Sequence, residues 1–80
     1  MKKLSDYVKE AVEEHIKQLN GKEPEDLYYK ILAQVEYALL KVVLVQTKQS
    51  QLRAAVMLGI SRMTLRKQMM AYGLLGNPEQ

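Results

Sequence analysis

The chain has 80 residues, 48% of them hydrophobic, and contains no Cys, Trp or Phe. A chain of this length forms one domain that buries only about 60% of its unfolded surface, and its hydrophobic content is too high for a disordered protein. Without cysteine it has no disulfide framework, thiolate nucleophile or cysteine-bound zinc. No apolar run approaches the roughly 18 residues of a membrane span, and no secretory signal is evident. We therefore expect a cytoplasmic protein.

Charge is distributed unevenly along the chain. Residues 1–47 carry seven Lys against eight Asp and Glu, a net charge of −1. Residues 48–73 contain no acid and five cations, which are Lys48, Arg53, Arg62, Arg66 and Lys67. This basic C-terminal third is the first indication of function, because such segments bind polyanions.

The first predicted helix begins near Leu4, where apolar residues start to recur every three or four positions among charged ones. Ser5 or Asp6 is the expected N-cap. Asn20-Gly21 is expected to end this helix near Leu19 in a left-handed turn. Pro24, with Glu25 and Asp26, predicts the first turn of the next helix.

The second predicted helix is apolar around most of its circumference from Leu27 to Val45. A helix of this kind must be buried on several sides, and an 80-residue monomer has too little mass to cover it. We therefore expect a homodimer in which residues from about 4 to 47 form the dimerisation helices. The alternative is that this helix is only the core of a monomer.

Residues 50–73 match the requirements of a helix-turn-helix unit. Two short helices are expected at about 51–58 and 62–72, with Ser50 and Ser61 as their N-caps. Gly59 supplies the turn and Gly73 the second helix end. Small residues are expected where the helices cross and apolar ones at their contact: Ala54, Ala55, Leu58, Ile60, Leu65, Met69 and Tyr72.

That packing places Arg62, Met63, Arg66 and Lys67 on the outer face of the second short helix. In a helix-turn-helix, the N-terminal half of this helix enters the major groove. Arginine donates to guanine, and Thr64 and the caps can bind phosphate oxygens. The alternative, a tight helical corner without DNA binding, is disfavoured by the acid-free basic face.

The segment QLRAAVMLGISRMTLRKQMMAYGL, at residues 51–74, resembles the C-terminal region of the Fis family, the nucleoid-associated factors for inversion stimulation. The resemblance extends back through LAQVEYALLKVVL and DLYYKIL to QLNG and covers about 70 residues. Bacterial activators similar to NtrC end in a similar motif. They carry an ATPase domain ahead of it, which is absent here.

The resemblance implies an all-α, four-helix subunit in an intertwined homodimer that binds and bends double-stranded DNA with degenerate sequence preference, as a transcription regulator of the nucleoid. Arg62 matches the base-contacting arginine of the family. Thr64, Arg66 and Lys67 match phosphate-contacting positions, and Ser50 and Ser61 replace asparagines that meet the DNA backbone. Arg53, which opens the family signature, completes the predicted DNA-binding set.

Departures from the family pattern are also informative. Leu52 replaces a threonine, and Gln68, Met70 and Ala71 replace basic residues, so weaker and less salt-dependent binding is expected. Ala38 stands where the family often has proline, which removes a cause of helix kinking. The family's N-terminal arm has no counterpart, so a DNA invertase is not an expected partner. RNA polymerase is a further candidate partner.

Other functions have little support. The lone histidine, His15, is interpreted as solvated, and no cofactor, metal site or enzymatic activity is expected. One alternative is a protein-interaction module in which Met57, Met63, Met69 and Met70 accept a partner helix. Met57 and Met69 are expected in the core instead, which would leave too small a patch. A detached DNA-binding domain of an activator similar to NtrC is the other alternative.

Overall fold

The protein is all-α in a computed structural model that describes residues 1–75. In chain order the helices are α1 (Leu4–Gln18), α2 (Leu27–Gln46), α3 (Gln51–Leu58) and α4 (Arg62–Ala71), and no strand occurs among the described residues. The predicted fold class and number of helices are confirmed. The tail predicted at residues 76–80 lies outside the described part of the chain. Two compact units divide the chain, Met1–Val35 and Glu36–Gln80.

The N-terminus of α1 corrects the prediction of a Ser5 or Asp6 cap. Lys3 is the N-cap residue, with extended backbone, and its N–H donates to Asp6 Oδ2 at 2.8 Å. Asp6 is therefore in the first turn, where a carboxylate can reach back to the cap N–H and interact favourably with the helix dipole. The helix ends where predicted, with Asn20 and Gly21 both at positive φ.

The start of α2 also differs from prediction, because Pro24, Glu25 and Asp26 are not helical. Asp26 has φ +54° and so lies in the left-handed region, which a right-handed helical turn excludes. Its carbonyl accepts a hydrogen bond from Lys30 N–H at 3.0 Å. The helix therefore begins at Leu27, three residues after the proline.

The N-terminal unit has no buried residue between Met1 and Val35. The interpretation of His15 as solvated is wrong, because this residue is half-buried and its Nε2 is enclosed without a hydrogen-bond partner among the described residues. His15 lies three residues after Val12 and four before Leu19, so it shares their half-buried helix face. Its spacing, rather than its charged neighbours, determines its environment.

The C-terminal unit contains a buried core drawn from three helices. Its members are Leu40, Val43 and Leu44 of α2, Ala54 and Ala55 of α3, and Leu65 and Met69 of α4. Thr47 is buried with them, and its hydroxyl donates to the Val43 carbonyl at 2.9 Å. The Thr47 hydroxyl, one residue beyond α2, is therefore satisfied by a carbonyl of the last turn of that helix.

The connection from α2 to α3 contains two consecutive left-handed residues and no glycine. Lys48 has φ +53° and Gln49 has φ +66°. Gln49 N–H donates to the Leu44 carbonyl at 2.8 Å, and Ser50 N–H donates to the Thr47 carbonyl at 3.0 Å. These bonds satisfy the carbonyls that the helix end would leave unpaired. They hold Ser50 at the position from which α3 begins.

Candidate nucleic-acid interface

The predicted helix-turn-helix forms as expected between α3 and α4. Ala54 and Ala55 are fully buried, and small residues allow two helices to approach closely. Gly59 has φ +75° and ends α3, with its N–H donating to the Ala55 carbonyl at 2.9 Å. Leu58 and Ile60 pack against the core, and Leu65 and Met69 are buried in it. The local signals thus predicted the position of the turn and the contact between the helices.

Serine caps begin both helices, as predicted. Ser50 Oγ accepts a hydrogen bond from Arg53 N–H at 3.2 Å, and Ser61 Oγ accepts one from Thr64 N–H at 3.1 Å. The Ser61 hydroxyl also donates to Thr64 Oγ1 at 2.9 Å. The Thr64 hydroxyl proton is consequently free to donate outward, whereas the Ser61 proton is already used. Ser50 keeps its hydroxyl proton because it acts only as an acceptor in its cap.

The cations of α4 are exposed and carry uncompensated charge. Arg62, Arg66 and Lys67 all lie on the exposed surface of this helix, and Arg53 is exposed on α3. The one ion pair within residues 1–75 joins Lys2 to Glu10, in the N-terminal unit. Because residues 48–73 include no acid, the structure presents a positive surface beside the N-terminus of α4, where the helix dipole adds further positive potential.

Gln51 is a member of this surface that the sequence did not reveal. Its Oε1 accepts a hydrogen bond from Arg66 Nη1 at 3.1 Å, which joins the first turn of α3 to the middle of α4. A neutral amide holds the guanidinium without cancelling its charge, unlike a carboxylate. Fifteen residues separate the partners in sequence, so no local pattern indicates the contact.

A second missed contact fixes the C-terminal end of α4. The Tyr72 hydroxyl donates to Glu36 Oε1 at 2.6 Å, and the Tyr72 ring lies edge-on to that of Tyr37. The hydrogen bond to the Glu36 carboxylate raises the pKa of Tyr72, with desolvation and the negative charge of Glu36 adding to the effect. Tyr72 packs against the core as predicted, but it is the C-cap residue of α4 rather than its last helical residue.

One predicted core methionine is misplaced. Met69 is buried, as expected, but Met57 is 58% exposed. The side of α3 that faces the core is centred on Ala54, Ala55 and Leu58, and at about 100° per residue Met57 lies roughly 100° around the helix from that centre. The expectation that Met57 lies in the core is therefore wrong.

Residues 1–75 contain no group of three His, Cys, Asp or Glu side chains placed to hold a metal ion. Within the same residues, no helix is long and apolar enough to cross a bilayer.

Comparisons with known proteins identify the family. The model of the Fis family of bacterial regulatory proteins matches residues 31–72. The chain is 48% identical over 73 residues to DNA-binding protein Fis from Escherichia coli O1:K1 and from Yersinia pestis, and 45% identical to that of Mannheimia haemolytica. Each alignment covers 91% of this chain and 74% of the relative. The expectation of a regulator rather than an enzyme agrees with the family description. The chain belongs to the Fis family of bacterial regulatory proteins.

Proposed function

We propose that this chain is a DNA-binding regulator that places the N-terminal half of α4 in the major groove of double-stranded DNA. The observation that carries the proposal is the exposure of Arg62, Arg66 and Lys67 on one short helix, within a segment, residues 48–73, that contains no acid. Uncompensated cations on a capped helix that packs across a second one match the geometry by which a helix-turn-helix contacts DNA.

Each predicted contact residue has a role that its surroundings support. Arg62, the first residue of α4, is proposed to donate two hydrogen bonds to guanine. Thr64, Arg66 and Lys67 are proposed to bind phosphates, the threonine through its free hydroxyl proton. Arg53 contributes charge from α3.

The two serine caps are proposed to contribute unequally to phosphate binding. Ser50 retains a hydroxyl proton for a phosphate oxygen, whereas the Ser61 hydroxyl already donates its hydrogen bond to Thr64. Ser61 then acts mainly by fixing the N-terminus of α4, whose free N–H groups attract anions.

A homodimer is proposed because the chain leaves much apolar surface uncovered. The N-terminal unit holds an open apolar groove of about 460 Å³ between α1 and α2, lined by residues that include Val8, Val12, Ile31 and Val35. Large exposed apolar side chains continue along α2: Tyr28, Tyr29, Leu32, Tyr37, Leu39, Val42 and Val45. A second copy covering this surface agrees with residues from about 4 to 47 as dimerisation helices and 50–73 as the DNA-binding unit.

Bending of DNA is part of the proposal, because two recognition helices on a compact dimer have to fit successive major grooves about 34 Å apart. The relatives are named DNA-binding proteins, and their alignment extends well beyond residues 31–72. This extent favours a similar role in the cytoplasm at the nucleoid over a detached activator domain. RNA polymerase is a proposed further partner of the regulator.

A protein-interaction module is the second candidate function. Met57, Met63 and Met70 are all exposed, and methionine adapts to varied apolar partners. An apolar interaction would respond little to salt, whereas each phosphate neutralised by a cation makes DNA binding more salt-dependent. Salt dependence therefore separates the two candidates.

The test is a gel shift on an A/T-centred duplex of roughly 27 base pairs at two salt concentrations. If four to eight phosphates are neutralised, log K should fall with log salt at a slope of about −4 to −7. We expect Arg62→Ala to weaken preferred-site binding by about 1–3 kcal/mol per contact, and to affect random DNA less. Lys9→Ala removes one charge from exposed α1 as the control.

Circularly permuted fragments in the same assay should differ in mobility if the protein bends them. Equal mobility would argue against DNA bending but not against DNA binding. A folded wild-type protein that fails to bind at low salt would refute DNA binding and leave the protein-interaction module as the better explanation.

A further inference from the structure

Met63 is an apolar residue in an exposed position of α4. It is the second residue of the helix, and 69% of its surface is exposed. Leu65 and Met69 define the buried side of α4. At about 100° per residue, Met63 lies on the opposite side of the helix. Met63 is therefore directed away from the core, and no described residue covers most of it.

Its neighbours on that exposed surface are cations. Met63 follows Arg62 in sequence, and it lies three residues before Arg66 and four before Lys67. Residues at these two spacings are neighbours on a helix surface. An apolar side chain thus lies among the charges assigned above to base and phosphate contacts. Phosphate offers a thioether no favourable contact, so a ligand that suits Met63 must present an apolar group beside an anionic backbone.

The major groove contains one such group, the C5-methyl of thymine. We propose that Met63 contacts a thymine methyl in the major groove, and thereby helps to determine which sequences this protein prefers. The inference rests on the proposed function. It favours DNA over an apolar protein partner, because such a partner would leave the flanking guanidinium and ammonium groups desolvated without counter-charges.

The size of the effect follows from burial of a methyl group. Removing one buried methyl from water contributes enough free energy to change an equilibrium constant about fourfold. Each bound subunit should therefore distinguish thymine from uracil about fourfold at the contacted position. Uracil has the same hydrogen-bonding groups as thymine and lacks only the methyl, so the comparison isolates the apolar contact.

The experiment begins with a duplex selected by the wild-type protein from a random pool. Each thymine is then replaced in turn by deoxyuridine, and affinity is measured by fluorescence anisotropy for three proteins. These are wild type, Met63→Ala and the control Met70→Ala, which alters an equally apolar, 65% exposed residue in the last turn of α4. Thermal unfolding followed by circular dichroism verifies that both variants are folded.

We expect one thymine position per half-site at which uracil weakens wild-type and Met70→Ala binding about fourfold, and Met63→Ala binding less than 1.5-fold. Met63→Ala should bind the uracil duplex about as tightly as wild type does. Wild-type binding that no uracil replacement weakens would overturn the role of Met63 and leave DNA binding intact. Equal uracil sensitivity in wild type and Met63→Ala would also overturn it. Failure of wild type to bind any duplex of the pool at low salt would instead refute the proposed function itself.

Discussion

Residues 1–35 and residues 36–75 are both helical, but they differ in how their apolar side chains are covered. The N-terminal unit has no buried residue, and an open apolar groove separates its two helical segments. The C-terminal unit buries seven hydrophobic residues from α2, α3 and α4, its two short helices begin at serine caps, and Gly59 ends α3. The C-terminal unit therefore buries its apolar side chains within one chain, whereas the N-terminal unit leaves its own on a surface that a second molecule could cover.

This difference indicates that the unit proposed to contact DNA and the groove proposed for dimerisation depend on different interactions. The arrangement of α3 and α4 depends on contacts within one chain, including those with Leu40, Val43 and Leu44 of α2. The groove in residues 1–35 gains its apolar contacts only when a second molecule covers it, so its order should increase with concentration.

The largest expected effect is that of removing a core side chain from the C-terminal unit. Leu65 is completely buried, and Leu65→Ala should lower the free energy of unfolding by about 2–5 kcal/mol because it leaves a cavity under α4. Leu52→Ala makes the same change at an exposed position of α3 and should cost roughly 0.5 kcal/mol or less. Urea unfolding at fixed protein concentration measures both. If the two substitutions lowered the free energy of unfolding equally, this would contradict a core in the C-terminal unit that is formed within one chain.

A smaller but selective effect is expected at the groove of the N-terminal unit. Leu32 lines it and is 38% exposed in the single chain, where a lysine could extend its ammonium to water at little cost. A second molecule that covers the groove would prevent the ammonium from reaching water. Leu32→Lys should then raise the dimer dissociation constant about 10- to 100-fold, corresponding to about 1–3 kcal/mol for a poorly paired polar group.

Sedimentation equilibrium measures this constant, with Gln34→Lys as the control because Gln34 is exposed on the same helix. If both variants dimerise as wild type does, the groove is not the dimer interface. If wild type is a monomer at all concentrations, the proposed dimer fails.

The smallest effect is a gain of stability in the turn before α3. Gln49 has φ +66°, a conformation that glycine adopts without the steric cost paid by residues with a Cβ. Gln49→Gly should raise the free energy of unfolding by about 0.5–1 kcal/mol, whereas Gln46→Gly, at the last residue of α2, should lower it by less than the roughly 1 kcal/mol that glycine costs in a helix interior. Thermal unfolding measures both changes. Destabilisation by Gln49→Gly would contradict strain in this turn.

Much of the C-terminal unit could be predicted because its determinants are local. Ser50 and Ser61 each cap a helix by accepting a hydrogen bond from the N–H three residues later. Gly59 ends α3 directly after the last residue of that helix. A pattern of caps, small residues and a turn glycine is contained in a short stretch of sequence. The candidate DNA contacts followed from that pattern together with the charge distribution.

The features that sequence alone missed have two physical causes. Some are left-handed residues other than glycine, such as Asp26, whose conformation delays the start of α2 until Leu27. Others are contacts between side chains far apart in sequence, such as Glu36 with Tyr72. Neither a left-handed residue nor a contact between distant residues produces a periodic pattern in the sequence. Met57 is apolar yet exposed, because Ala54, Ala55 and Leu58 form the side of α3 that faces the core.

The hydrogen bond from Arg66 to Gln51 has a consequence for the entropy of DNA binding. A free arginine loses up to about 2 kcal/mol of rotamer freedom when it is immobilised. Because Gln51 Oε1 already restrains one end of the Arg66 guanidinium, part of that loss is incurred when the protein folds rather than when the proposed phosphate contact forms. The full positive charge remains, so the restraint favours binding without reducing the release of counterions that accompanies it.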